Sequence, residues 1–263
     1  MIRRAIAAAS LVAIAVLGRD AGACSCMPPE ASLLSPDRTE DASTNTKIRL
    51  EVPSAAYYGS ATTQTIVRVH GGANIDVKSR KIGGRVLDVL ELTPVSPLTP
   101  NTRYEVATID PLRHPPTHVV GTFKTSATAT ADTAPPRIDR MGAVIAQKSG
   151  RNMSSCSVAG PWIVAHDLAS SDPGRTDSKI VYGVWLGDNA GNVDTSKAPT
   201  RILEANRGGD TLTIGQAGSC HFHDFPIPST PFVWLGIAAL DEAGNQSPVK
   251  KVRVDLAGAK SSP

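Results

Sequence analysis

At 263 residues, with 41% hydrophobic and 19% charged side chains, the chain is composed as a globular protein and is long enough for one large or two small domains. Arg3 and Arg4 precede an apolar run from Ala5 to Leu17, followed by Arg19, Asp20 and Ala21-Gly22-Ala23, the charged, apolar and small-residue order of a secretory signal at residues 1–23. Cleavage after Ala23 removes Arg3, Arg4 and Arg19 from 27 basic residues and Asp20 from 24 acidic ones, so the formal net charge falls from +3 to +1. No Lys/Arg cluster with interleaved aromatics remains, which excludes nucleic acid as a partner, and no later apolar run reaches the roughly 20 residues of a membrane helix.

Residues 24–43 carry Cys24 and Cys26 and are otherwise rich in Pro, Ser and Asp, a composition expected to be irregular. Order is expected from residue 44. Ile48, Leu50 and Val52 alternate with Lys47, Arg49 and Glu51, the pattern of a strand with one wet face. Short strands are expected again at Thr65 to His70, Asn74 to Lys78, Val86 to Leu92, Arg103 to Thr108 and Val119 to Lys124, with Gly71-Gly72, Gly83-Gly84 and Pro97 to Asn101 between them. No useful helical period interrupts them, so residues 44–126 read as one antiparallel sandwich.

Three segments of this half carry a resemblance. Asn45-Thr46-Lys47-Ile48, then Leu92-Thr93-Pro94 with Pro97-Leu98-Thr99-Pro100-Asn101-Thr102-Arg103-Tyr104, and finally Gly121-Thr122-Phe123-Lys124-Thr125 resemble bacterial Ig-like domains of the S-layer (SbsA) type. The likeness covers about Ser35 to Thr125. It implies an Ig-like fold found in extracellular or envelope proteins, a family with no shared catalytic residues to carry over.

Residues 127–136 are small, Thr-rich and end in two prolines, a composition that favours an extended linker. Asp132-Thr133-Ala134-Pro135-Pro136 is similar to the joint between consecutive Ig-like modules of bacterial surface proteins. Residues 137–258 then read as a second sandwich, with a tail at 259–263. Its strands are expected at Met141 to Ala146, Pro161 to His166, Lys179 to Leu186, Thr211 to Gly215, Phe232 to Leu240 and Val249 to Leu256. Phe232 to Leu240 is apolar or small on both faces, as a strand covered on two sides requires, whereas Val252, Val254 and Leu256 alternate with charges. Asp241-Glu242-Ala243-Gly244-Asn245 makes the turn between them, and the resulting hairpin resembles the terminal hairpin of fibronectin type III and related Ig-like domains. Val184-Trp185-Leu186-Gly187 with Asp188-Asn189-Ala190-Gly191-Asn192 repeats both run and turn, so one device is expected twice. Trp162, Trp185 and Trp234 all fall in this half and are expected to pack in its core.

The chemistry-bearing residues are few. Asp188, Asn189, Asn192 and Asp194 offer the oxygens a calcium ion prefers, but a turn uses the same residues for backbone reasons, and the twin at Asp241 to Asn245 favours the turn. His221 and His223 alternate beside Cys220 and can point one way from an extended segment, yet two ligands do not make a metal site. No G-x-S-x-G, H-E-x-x-H, G-x-x-x-x-G-K-[ST] or G-x-G-x-x-G is present. The mature start Cys24-Ser25-Cys26-Met27-Pro28-Pro29 resembles, over six residues, the amino terminus of tissue inhibitors of metalloproteinases, in which the first cysteine chelates the protease zinc. A cysteine pair in disulfides ranks ahead of this reading, and so does a lipid anchor on Cys24, although Ala21 stands where a lipobox usually has leucine.

These residues point to an all-β exported protein of two tandem antiparallel Ig-like β-sandwiches after a signal peptide. It is expected to be secreted, periplasmic or on the cell surface, non-catalytic, without cofactor or metal, and to serve envelope structure, adhesion or binding of a surface protein or glycan. The alternatives are an inhibitor acting through Cys24 and a metal-binding enzyme using His221 and His223. Cysteines at 24, 26, 156 and 220 suit an oxidising compartment, and Cys156 with Cys220, both in the second domain, is the expected bond. It would stabilise by on the order of 4 kcal/mol through loop closure. A disulfide map of the mature protein should return a Cys156–Cys220 peptide pair; a free thiol at either position would sink this pairing.

Overall fold

Period-two patterning resolves into four main sheets in a computed structural model that describes residues 30–54, 64–84, 87–109, 115–128, 130–148, 161–173, 175, 178–206, 210–215, 227–228 and 230–261. The first half contains β1 (Ser32–Ser35), β2 (Ile48–Pro53), β3 (Gln64–Val69), β4 (Val77–Ile82), β5 (Leu87–Pro94), β6 (Arg103–Ile109) and β7 (Thr117–Lys124). The sheet order is β1-β2-β5-β4 against β3-β6-β7. Lettered A to G, these strands give ABED and CFG, the layout of a constant-type Ig domain. Ile48, Leu50, Leu92, Val67 and Val106 fill the space between the two sheets. Tyr104 and Phe123 pair across β6 and β7 with ring centroids 5.3 Å apart. At the entry to strand F the Tyr104 hydroxyl accepts the Thr99 amide at 2.9 Å, the tyrosine corner that closes many Ig-like sandwiches.

The second half contains β8 (Arg137–Arg140), β9 (Val144–Lys148), β10 (Pro161–Ala165), β11 (Ala169–Ser171), β12 (Val181–Gly187), β13 (Arg201–Leu203), β14 (Leu212–Gly215), β15 (Phe232–Leu240), β16 (Lys250–Asp255) and β17 (Lys260–Ser261). Sheets β14-β10-β9-β17 and β13-β12-β15-β16 enclose Ile163, Leu212, Ile214, Val184, Leu235 and Ile237, and β11-β8 forms a small flanking pair. The chain is therefore all-β, two Ig-like sandwiches in tandem. No helix among the described residues is long and apolar enough to cross a membrane.

The repeated VWLG run has a use that repetition alone does not reveal. The two copies pair with each other in antiparallel register, so that Trp185 faces Gly236, Leu186 faces Leu235 and Gly187 faces Trp234. The Trp185 indole lies over Gly183 of its own strand, where a Cβ would stand 2.9 Å from Cη2. A Cβ on Gly236 would stand 2.7 Å from Val193 Cγ1 and 3.1 Å from Val249 Cγ1. Trp185 is buried, and Trp162 and Trp234 are half-buried.

Four expectations need correction. Residues 32–35, inside the stretch read as irregular, form β1, because Leu33 and Leu34 find apolar cover on opposite faces. The charged face of β2 is not wet: Arg49 is fully buried and Glu51 nearly so. Within the expected tail, Lys260–Ser261 form β17, which joins β9 of the second sandwich in parallel, an exception to the antiparallel expectation. The two DxAGN turns also differ, because antiparallel pairing of β12 with β15 sends them to opposite ends of the sheet.

Gly236→Val should destabilise by about 1–3 kcal/mol through overpacking, whereas Gly83→Ala, where an added Cβ meets nothing within 4 Å, should stay within about 0.5 kcal/mol. Urea unfolding of the two variants checks this; equal losses would show that the tryptophan–glycine register does not set the packing.

Candidate functional site

The turn that ends β15 is where the sandwiches meet. Gly244 sits at φ +88°, and a Cβ there would lie 2.7 Å from Lys47 Cδ, so the turn needs glycine both for its backbone and for the first sandwich's approach. Asp241 Oδ1 accepts the Asn245 amide at 2.8 Å and its Oδ2 accepts Asn245 Nδ2 at 2.8 Å, an Asx-type brace. With its own groups satisfied, the turn presents its carbonyls outward. Lys47 donates its amide to the Glu242 carbonyl at 2.7 Å, and Arg49 Nη1 donates to the Asp241 carbonyl at 2.7 Å.

Two buried arginines cross this joint. Arg49 of β2 also donates through Nε to Glu91 Oε2 at 3.0 Å. Arg201 of β13 reaches back to Glu51 Oε1 at 3.1 Å and to the Leu87 carbonyl. Between them Leu34, Ile82 and Val89 pack against Val181, Ile202 and Leu240. The polar face of β2 is thus an interface, its charges matched one by one. Beside it opens a cleft of about 640 Å³ lined by Leu34, Asp37, Glu51, Lys179, Tyr182 and Glu204.

On the other side of the turn the joint is acidic. Glu242 is fully buried and accepts from Thr39 Oγ1 at 2.6 Å, the Lys179 amide at 3.2 Å and Arg175 Nη2 at 3.2 Å. Burial still holds its carboxyl above the usual range, with Asp41 adding to the effect. Asp132 of the linker, Asp172 after β11 and Asp241 bring carboxylate oxygens within 4.8 Å of one another. Burial raises Asp241 and Asp172 as well, with Asp132 pushing both further up. Ser178 opposes the shift at Asp172 but makes no hydrogen bond of ordinary geometry to it. Sequence reading missed Asp172, Arg175 and the role of Asp132; only Asp241 and Asp132 stood in recognisable motifs.

The residues singled out from sequence are distributed otherwise. Asn189 Oδ1 caps the amides of Gly191 and Asn192 at 2.9 and 3.0 Å, Asp188 accepts from Asn192 Nδ2, and Asp194 accepts from Ser196, so the turn chemistry accounts for this exposed set. Cys24, Cys26, Cys156, Cys220, His221 and His223 lie outside the described residues.

No protein-family model and no curated protein sequence matches the chain. Among solved structures it is similar to the BSP domain of a biofilm associated protein (15% identity, 85% of this chain and 30% of that one, TM-score 0.27). It is also similar to fibronectin(III)-like modules of Clostridium thermocellum CbhA (9% identity, 88% and 94%, TM-score 0.23) and to tandem Ig repeats of Dlar (9% identity, 86% and 97%, TM-score 0.29). The chain spans less than a third of the length of the first. Likeness at this level does not bear on function.

Glu91 reports on the joint. Burial raises its carboxyl, but Arg49, Lys47 and Arg80 more than offset this and hold it below the ordinary 4.5. A depressed carboxylate adds stability that is complete above its unfolded value and is lost as pH falls through the folded one, since the unfolded chain then binds more protons. Arg49→Met should cost about 3–5 kcal/mol by stranding that charge and should flatten the stability loss below pH 4.5. Arg103→Met, at the exposed pair with Glu40, should cost under about 1 kcal/mol. Denaturation of the variants across pH checks both; similar costs would mean that the joint does not hold the sandwiches together.

Proposed function

We propose that the chain is an exported, non-catalytic Ig-like protein of the bacterial envelope or cell surface, which acts in envelope structure, adhesion or ligand binding as a stiff pair of sandwiches. The observation that carries this reading is the buried joint. A flexible tandem leaves its linker free and its facing surfaces polar and solvated; here Arg49 and Arg201 are both inaccessible and find partners on the opposite sandwich. Separating the sandwiches would strand buried charges and expose Leu34, Val89, Ile202 and Leu240, so the pair holds a fixed angle. A fixed angle is useful to a spacer or display module. The secretory order of residues 1–23 supports export, and the S-layer (SbsA) likeness of the first half supports an envelope setting. A surface protein or glycan would be met by sheet edges or end loops, where such sandwiches carry recognition.

Fractionation of the producing bacterium should recover the chain, trimmed of its leader, outside the cytoplasm, and purified mature protein should bind intact cells saturably until surface protein or glycan is stripped. A cytoplasmic, untrimmed chain would overturn this reading.

A further inference from the structure

We propose that Asp132, Asp172 and Asp241 form a calcium site that fastens the linker into the joint. The three residues come from places far apart in sequence: the linker, the segment between β11 and β12, and the turn after β15. Their carboxylate oxygens converge within 4.8 Å. Ligands about 2.4 Å from a shared calcium stand at most about 4.8 Å apart, so the three oxygens lie within the reach of one ion.

A cluster of acids alone decides nothing, since most are held by hydrogen bonds or by water. Asp172 is different. It is only 8% exposed, yet neither of its carboxylate oxygens has a hydrogen-bond partner. Asp132 Oδ2 is also buried without a hydrogen bond, its only ion pair being to Arg175 Nη1 at 3.8 Å among the described residues, while its Oδ1 accepts the Ala134 amide at 3.0 Å. Both Asp172 oxygens and Asp132 Oδ2 are thus buried without a hydrogen bond, each residue brings one oxygen to the cluster, and Arg175 Nη1 beside them is buried without an acceptor as well. A buried carboxylate without a partner costs free energy that a cation of the right size removes.

Arg175 is the resident cation and does not meet this need. Its Nη2 is committed to the Asp41 carbonyl at 2.8 Å and to Glu242 Oε2 at 3.2 Å, while Nη1 stops 3.8 Å from Asp132 Oδ2. Arg175 stands against Asp41, Asp132, Asp172 and Glu242. All the facing ligand atoms are oxygens, which selects a hard cation, and the cluster's spread favours calcium over the smaller, strictly octahedral magnesium. Asp132 is itself anchored by Asn45, whose side chain exchanges two hydrogen bonds with its backbone at 2.8 and 2.9 Å. An ion here would therefore tie the linker, the first sandwich and the terminal hairpin of the second together.

The test titrates calcium chloride into chelator-treated mature protein by calorimetry, and follows melting with and without the ion. One calcium should bind per chain and raise Tm by roughly 5–10 °C at about a hundredfold excess over its dissociation constant. Asp172→Asn should weaken binding at least tenfold while leaving the calcium-free Tm unchanged or higher, because it removes an unmatched charge. Asp188→Asn with Asp194→Asn, at the exposed turn, should keep the full response. If Asp172→Asn fails to fold, Asp132→Asn takes its place and should also weaken binding. No response of the wild type at millimolar calcium, a response that appears only in Arg175→Met, or undiminished binding by the Asp172 variant would each overturn the site. The measurement uses pure protein, so its failure is separate from failure of the surface role, which cell fractionation decides.

Discussion

A guanidinium without access to water lies between two sandwiches, and the arrangement of this protein follows from keeping it satisfied. Arg49 needs an acceptor on each side: Glu91 from its own sheet and the Asp241 carbonyl from the neighbouring sandwich. A buried charge with one partner removed is far more costly than the same surface left apolar. That asymmetry makes the joint an all-or-none contact. It also explains why the hairpin turn after β15 is braced internally by Asp241 and Asn245, since a carbonyl that must meet a buried arginine cannot wander.

Within each sandwich the controlling constraint is steric. Tyr104 stacks on Phe123 and anchors its hydroxyl at the corner, which fixes the entry of strand F in the first domain. In the second domain Trp185 and Trp234 stand opposite glycines in the register of the paired strands, and a one-residue slip would set each opposite a residue with a side chain. The register of the central pair is thereby set by shape as well as by the apolar alternation. The core beneath it, from Ile163 to Leu256, needs only to be apolar and of suitable volume.

The acidic side of the joint follows a different logic from the basic side. Arg49 and Arg201 each donate to an acceptor on the opposite sandwich, Glu242 accepts three hydrogen bonds, and neither Asp172 oxygen accepts one. The calcium proposal rests on that contrast. It gives Asp132-Thr133-Ala134-Pro135-Pro136 a role beyond spacing, because the residue that opens this stretch would hold an ion against the second sandwich.

The sequence by itself determined the class of fold. Alternation along β2, β15 and β16, the Gly/Pro punctuation and the likeness around Tyr104 are local signals, and local backbone preference is enough to write strands and turns. It also determined the position of the DxAGN turns and favoured turn chemistry over a calcium site at Asp188 to Asp194. Only the tertiary structure decided which faces are wet. Arg49 and Glu51 have the spacing of a solvent-facing stripe, and nothing in residues 47–53 announces that a second domain 150 residues away will cover them with Arg201. The same holds for Leu33 and Leu34, too short a run to mark a strand until neighbouring sheets bury them. Asp132, Asp172 and Asp241 are three ordinary turn and linker acids in the sequence. They become a constellation because chain reversal brings three distant segments to one end of a sheet, and proximity of that kind is a property of the fold alone.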